Sequence, residues 1–284
     1  MANLHDIKRR IQSVKSTQKI TRAMKMVAAA KLRRAQESIQ QARPYALRMR
    51  DLVNNMASRA ELDGHPLLTH AEGGAVTLIV VTSDRGLCGA FNSNIVNAAR
   101  DHIETTFAGR TVNLTAIGKR GVDLLHRRYG EVAHTHEGLL DGSLFEGARV
   151  VVDQAAEPFI EGRTGEVYCL YNRFRSAVSQ EVTLERLLPF EADIPEDGKA
   201  IDYVYEPSAA DLFESLLLRH LNVQMHRVLN ESAASEHGAR MTAMDAATNN
   251  AGEMIDQLTL QYNRARQDAI TTELIEVVSG AEAL

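Results

Sequence analysis

Two cysteines and ten histidines are the side chains in this sequence best suited to nucleophilic or metal chemistry. Cys88 lies in the loop Ser83-Asp84-Arg85-Gly86-Leu87-Cys88-Gly89, directly after an apolar run. As a nucleophile it would need a base brought to it in space, and no histidine stands in a pattern that assigns one. The bland reading is a small buried side chain in a structural turn, with Asp84, Gly86 and Gly89 shaping that turn. Asp84 and Arg85 are expected to pair with each other or to cap the following helix. Neither this loop nor Gly118-Lys119-Arg120-Gly121 has the spacing of a phosphate-binding loop. His134-Thr135-His136 offers two metal ligands without a patterned third, so it reads as a solvated loop. These spacings assign no catalytic residue, no cofactor and no metal.

The elements that must carry these residues follow from where glycine and proline fall. Fifteen of the eighteen glycines lie between Gly64 and Gly198, while the 77 residues after Pro207 contain no proline. Both ends therefore read as long helices. At the N-terminus an apolar stripe runs through Leu4, Ile7, Ile11 and Val14, and resumes at Ala28, Leu32 and Ala35 as far as Met56. Its alternating spacing of three and four is that of a coiled coil or, taken alone, equally of an amphipathic helix on an ordinary core. The register passes through Gln18, Thr21 and Lys25, where apolar Ile20, Met24 and Val27 move to another face, so a local change of partner is expected there. At the C-terminus Met244, Thr248, Ala251, Ile255 and Leu258 continue the same pattern. At about 1.5 Å per residue the second helix is the longer. In an antiparallel pair it should overhang by about 30 Å, carrying Ile270, Leu274, Ile275, Val277, Val278 and Leu284. A monomer cannot cover that apolar end, which calls for a partner.

Between the helices, Ala75-Val76-Thr77-Leu78-Ile79-Val80-Val81-Thr82 reads as a strand buried on both faces, hence parallel sheet. A helix from Asn92 to Phe107, a strand from Val112 to Ile117 and a helix from Ser143 to Ile160 follow. Strands from Glu166 to Arg173 and Val182 to Leu188 form an antiparallel hairpin. The predicted fold class is α/β plus coiled coil: a small Rossmann-like domain inserted between two long helices. The expected boundaries are 1–60, 73–190 and 207–284, with connectors at 61–72 and 191–206.

The net charge of −5 conceals a division. Residues 1–50 hold five Lys and eight Arg against Asp6 and Glu37, a balance of +11 that leaves −16 for the rest. Such a segment faces an acidic partner, a nucleic acid or a membrane surface. Nothing aromatic precedes Tyr45, so base stacking there is excluded, and phosphate contacts alone would carry the rival reading of a nucleic-acid binder; the leading reading expects no nucleic acid. No run approaches the roughly 20 apolar residues that span a bilayer, so direct membrane insertion is not expected. The start of the chain lacks an apolar signal core, and two cysteines suit a soluble chain in a reducing compartment.

Four stretches carry a resemblance to one family. They are Ile7-Lys8-Arg9-Arg10-Ile11 with residues 13–31 (SVKSTQKITRAMKMVAAAK), residues 82–92 (TSDRGLCGAFN), residues 240–251 (RMTAMDAATNNA) and residues 270–281 (ITTELIEVVSGA). In that order the chain resembles the γ subunit of the rotary proton-translocating ATP synthase. The resemblance implies a non-catalytic shaft inside a ring of α and β subunits. Its α/β domain would be the foot, against the ε subunit and the membrane c-ring. Arg22, Met24 and Lys25, together with Arg266 and Gln267, would meet β-subunit loops. Ile270, Leu274, Ile275, Val277 and Val278 would form an axle tip in a sleeve of the ring. Plastid relatives carry a cysteine-bearing insert that 190–240 lacks, so the implied place is the cytoplasmic side of a bacterial inner membrane, held peripherally.

Overall fold

Burial on both faces organises the middle of the chain around a five-stranded sheet. The computed structural model describes residues 4–57, 67–68, 74–191 and 209–282, so the two expected connectors and Leu284 fall almost wholly outside the described residues. The chain forms two compact units, one of Ala29–Ala239 and one of Met1–Ala28 with Arg240–Leu284. Helix α1 (Leu4–Ala57) and helix α5 (Ala209–Glu282) each contribute to both.

In the larger unit the strands are β1 (Ala75–Val81), β2 (Val112–Ile117), β3 (His134–His136), β4 (Thr164–Phe174) and β5 (Gln180–Leu188). Their order is β3-β2-β1-β4-β5. The first four are parallel and β4 pairs antiparallel with β5, as the hairpin reading expected. The apolar run of β1 makes it the buried centre, because parallel strands are covered on both faces. On one face Leu78 and Val80 meet Ile95 and Ala99 of α2 (Phe91–Glu104) and Leu125 of α3 (Lys119–Tyr129). On the other, Ile79 and Val81 share a core with α4 (Leu144–Ile160), Val53 and Met56 of α1, and Phe213 and Met225 of α5. Each fully buried aliphatic side chain here is worth roughly 1.5–3 kcal/mol.

This unit adds one helix that the sequence did not announce and corrects one expectation. Gly118-Lys119-Arg120-Gly121 opens α3, with Gly118 as its N-cap. Gly118 takes φ +90°, and a Cβ on it would lie 2.5 Å from the Thr82 carbonyl oxygen. The Gly121 N–H donates to Thr82 Oγ1 at 2.8 Å, which holds α3 against the end of β1. Charge on most faces hid this helix, since it buries only Gly121 and Leu125. His134-Thr135-His136 is an edge strand, not a solvated loop: it pairs with Thr115, Ala116 and Ile117. Three residues are too few to show a strand's alternation.

In the smaller unit the two helix ends pair antiparallel along the expected stripe. Ile7 of α1 and Met244, Thr248, Ala251 and Leu258 of α5 are buried. The change of partner expected at Gln18, Thr21 and Lys25 does not occur within the pair. Lys25 Nζ binds Asp245 Oδ1 at 2.6 Å, Thr248 Oγ1 donates to Thr21 Oγ1 at 2.8 Å, and Gln18 Nε2 donates to the Thr248 carbonyl at 3.4 Å. The seam thus continues through polar residues that satisfy one another, while Ile20 and Val27 remain exposed. In this register Leu4 lies level with about residue 266 of α5, so the rest of α5 runs on unaccompanied by α1. Of the six apolar residues expected on the overhang, the five that are described are exposed, from 50% at Ile270 to 70% at Val277.

Candidate functional site

Three places answer to the residues singled out above: the turn after β1, the polar seam with its flanking charges, and the free end of α5. In the turn, the Ser83 N–H and hydroxyl both donate to Asn92 Oδ1 at 3.0 Å, and Asn92 Nδ2 approaches Cys88 Sγ at 3.4 Å. Cys88 is 2% exposed and packs inside this knot. Leu87, at φ 63°, and Gly89, at φ 59°, bend the backbone around it. The polar groups of Ser83 and Asn92 are therefore spent on one another, and the turn acts as a brace for the start of α2. Asp84 pairs with neither Arg85 nor the start of α2, contrary to expectation. Its Oδ1 accepts from the backbone N–H of Lys119 (3.0 Å) and of Gly138 (2.9 Å), tying the β1 turn to α3 and to the segment after β3. A Cβ on Gly86 would sit 3.4 Å from the Arg120 guanidinium.

Along the helix pair, Arg22 is exposed and Met24 half-buried, whereas the Lys25 ammonium is held by Asp245. Arg266 and Gln267 are exposed on α5 just before the free apolar end. Arg22, Arg266 and Gln267 therefore stand open to another molecule, and Lys25 is open only by exchanging Asp245. Among the described residues no His, Cys, Asp and Glu cluster has the arrangement of a metal site, and no helix is long and apolar enough to cross a membrane.

One group of charges escaped the sequence reading. Arg227 of α5 donates to Tyr171 Oη (3.1 Å), to Glu231 Oε1 (3.0 Å) and to Glu185 of β5, and Arg173 lies 3.6 Å from the same Glu185. Burial alone would raise the Glu185 carboxyl pKa, but the Arg227 charge and its hydrogen bonds bring it below the usual range. Burial pushes Tyr171 up to about 12. Only the Arg227/Glu231 spacing of four was visible as a local signal; β4, β5 and α5 bring the rest together.

Beside this group His220 is 2% exposed. Burial, with Arg227 and Arg50 adding positive charge, lowers its imidazole to about 4. The unfolded chain takes up this proton near pH 6.5 and the folded chain only near 4, so protonation favours unfolding across that interval. Stability is expected to be complete above pH 6.5 and to fall by about 3 kcal/mol on the way to pH 4. Urea midpoints at pH 7 and pH 5 check this. A His220→Gln chain should lose much of the difference; an unchanged difference would remove His220 as its source.

The family model described as ATP synthase matches residues 3–284 of this chain. The "ATP synthase gamma chain" of Geotalea uraniireducens is 46% identical over 286 residues, covering 100% of this chain and 99% of the relative. That of Salinibacter ruber is 46% identical over 304 residues with the same coverage.

The chain belongs to the ATP synthase gamma chain family.

As a gamma chain it is a subunit of an enzyme complex, and family membership carries the central-stalk role in ATP synthesis. The fold agrees. A chain of the Euglena gracilis mitochondrial ATP synthase (OSCP, F1 and c-ring, rotational state 3) superposes with TM-score 0.69 at 18% identity, over 99% of this chain and 94% of that one. A chain from the Tetrahymena thermophila central stalk and c-ring gives 0.62 at 24%, over 80% and 99%. The expected class of gamma-chain fold, long terminal helices around a Rossmann-like sheet, is the one found.

Proposed function

We propose that this gamma chain is the rotor shaft itself, non-catalytic, turning within a ring of α and β subunits and carried by the c-ring through its sheet domain. The observation that supports this best is the free end of α5: an apolar helix end left uncovered by the described residues of its own chain. Such a surface is stable in water only as part of an assembly, and a sleeve formed by the ring would supply the missing cover. Proton flow turns the c-ring, and the sheet domain turns with it. A shaft that is not symmetric about the ring axis then presents each β subunit with a different surface in turn. Its differential contact with the binding states of β transmits free energy to ATP synthesis, and hydrolysis runs the same steps backwards.

In this reading Arg22, Met24 and Lys25 on α1, and Arg266 and Gln267 on α5, face loops of the β subunits. Exposed ion pairs are worth about 0–1 kcal/mol each, enough to guide orientation and too little to trap a sliding surface. The ε subunit would bind the sheet domain, and the complex would sit peripherally on the cytoplasmic face of a bacterial inner membrane. ATP chemistry would belong to the ring.

Co-expression with α and β subunits, purified through a tag on β, tests the proposal. The expected product has one copy of this chain per three α and three β, with ATP hydrolysis that depends on it. Charge reversal at Arg266 with loss of the Gln267 amide (Arg266→Glu, Gln267→Ala) should slow turnover while leaving that stoichiometry intact. A chain that never enters the ring would overturn the rotor reading; turnover indifferent to the double substitution would remove these two residues as contacts.

A further inference from the structure

The larger unit holds a cleft of about 630 Å³ between α1, α5 and the β4–β5 hairpin. Nothing in the rotor reading uses it. Five guanidinium groups line it, from Arg43, Arg50, Arg173, Arg175 and Arg227, against two carboxylates, Glu185 and Glu231. Arg173 and Arg227 are committed to those two carboxylates. The other three are available. Among the described residues Arg50 and Arg175 pair with the exposed Asp51 (3.5 Å) and the half-exposed Glu181 (2.7 Å), pairs worth about 0–1 kcal/mol that a ligand can displace. Arg43 makes no ion pair among the described residues. Part of the lining is apolar: Ile39, Ala42, Ala46 and Leu47 alternate with Arg43 and Arg50 along α1, and Val223 stands on α5. His220 also lines it, with a buried Nδ1 that has no hydrogen-bond partner among the described residues.

Guanidinium forks match phosphate oxygens bidentately, and the volume is that of a small-molecule site. A cleft of this size with an apolar wall takes a compact molecule rather than a folded acidic segment. We propose that this cleft binds an organic polyphosphate of nucleotide size, its phosphates on Arg43, Arg50 and Arg175 and its apolar body on the α1 wall. The proposal is independent of the rotor reading and gives the stalk a ligand site of its own.

Calorimetric titration of the full chain with ADP, pyrophosphate and inorganic phosphate, at about 0.15 M salt to screen nonspecific attraction, tests it. One ADP per chain is expected, with both inorganic anions binding at least about tenfold more weakly for want of the apolar wall. Arg43→Glu, at an exposed position that leaves the core untouched, should weaken ADP by about tenfold or more, and Arg43→Lys by less. Arg127→Glu makes the same charge change on α3, away from the cleft, and should leave affinity as it was. The His220 imidazole resonance, assigned by its loss in His220→Gln, should move on adding ADP to the parent chain. Absence of saturable binding at millimolar ADP would overturn the proposal. So would equal weakening by Arg43→Glu and Arg127→Glu, equal affinity for pyrophosphate, equal competition by an oligoglutamate peptide, or a His220 signal that does not move.

Discussion

Replacing Leu274 and Val278 by aspartate is expected to abolish stable assembly with the α and β ring while leaving the sheet domain folded. Both side chains are more than half exposed in the isolated chain, so the substitutions cost its own fold almost nothing. In a sleeve the balance reverses. Each apolar side chain forfeits roughly 1.5–3 kcal/mol of burial, and each carboxylate brings a desolvation cost of several kcal/mol unless it finds a partner. Recovery of this chain with tagged β should fall by about a hundredfold or more, since every 1.4 kcal/mol is a factor of ten. Far-UV circular dichroism should be unchanged. Thr272→Asp, a charge added beside the same segment at a position already polar, serves as the control. Undiminished recovery of the double variant would mean that the free end of α5 is no bearing.

The second large effect is expected inside the sheet domain. Arg227→Met removes a side chain that hydrogen-bonds Tyr171, Glu185 and Glu231 together. Among the described residues, two carboxylates, 21% and 16% exposed, then keep Arg173 at 3.6 and 4.0 Å, and Glu185 keeps the Tyr171 hydroxyl at 2.9 Å. Breaking a buried ion pair from one side costs about 3–5 kcal/mol, because a charge is left without compensation. The pH dependence should change with it. In the parent, Glu185 has a lowered pKa, so its contribution is present above about pH 4.5 and disappears as pH falls through the folded value. Without Arg227 burial dominates and lifts that pKa, so mild acid should relieve part of the damage. Urea melts at pH 7 and pH 5 measure both effects. Restoring much of the loss with Glu185→Gln in the same chain would confirm the stranded carboxylate. A loss under about 1 kcal/mol for Arg227→Met would show that Arg173 suffices.

These two regions differ in how far they could be read in advance. The end of α5 was legible because its evidence is local: helical spacing of apolar residues, a proline-free run of 77 residues, and a length that the shorter partner helix cannot match. The strand at Ala75–Val81 was legible for the same reason, since a strand buried on both faces is a near-continuous apolar run, and Val112–Ile117 followed as the next strand of a βαβ unit. Helix α3 was not, because it buries only Gly121 and Leu125 and its glycine serves a close approach to Thr82 that no local pattern announces. Asp84 was placed in the correct turn with the wrong partners. The N–H groups it accepts from belong to Lys119 and Gly138, which reach it only when β1, β2 and β3 align.

By itself the sequence determined the two long helices, their common stripe, the uncovered apolar end and the central parallel strands, and with its motifs the gamma-chain family. All of these rest on periodicity and composition within a few turns of chain, where the energetics of burial are written locally. Only the tertiary structure decided that the seam passes through Gln18, Thr21 and Lys25 without changing partner, since Thr248 and Asp245 stand more than 200 positions away. It alone brought Tyr171, Glu185 and Arg227 into one network and set five arginines around one cleft. Charges and hydrogen bonds act over a few ångströms of space, and which groups come that close is settled by how the sheet and helices pack.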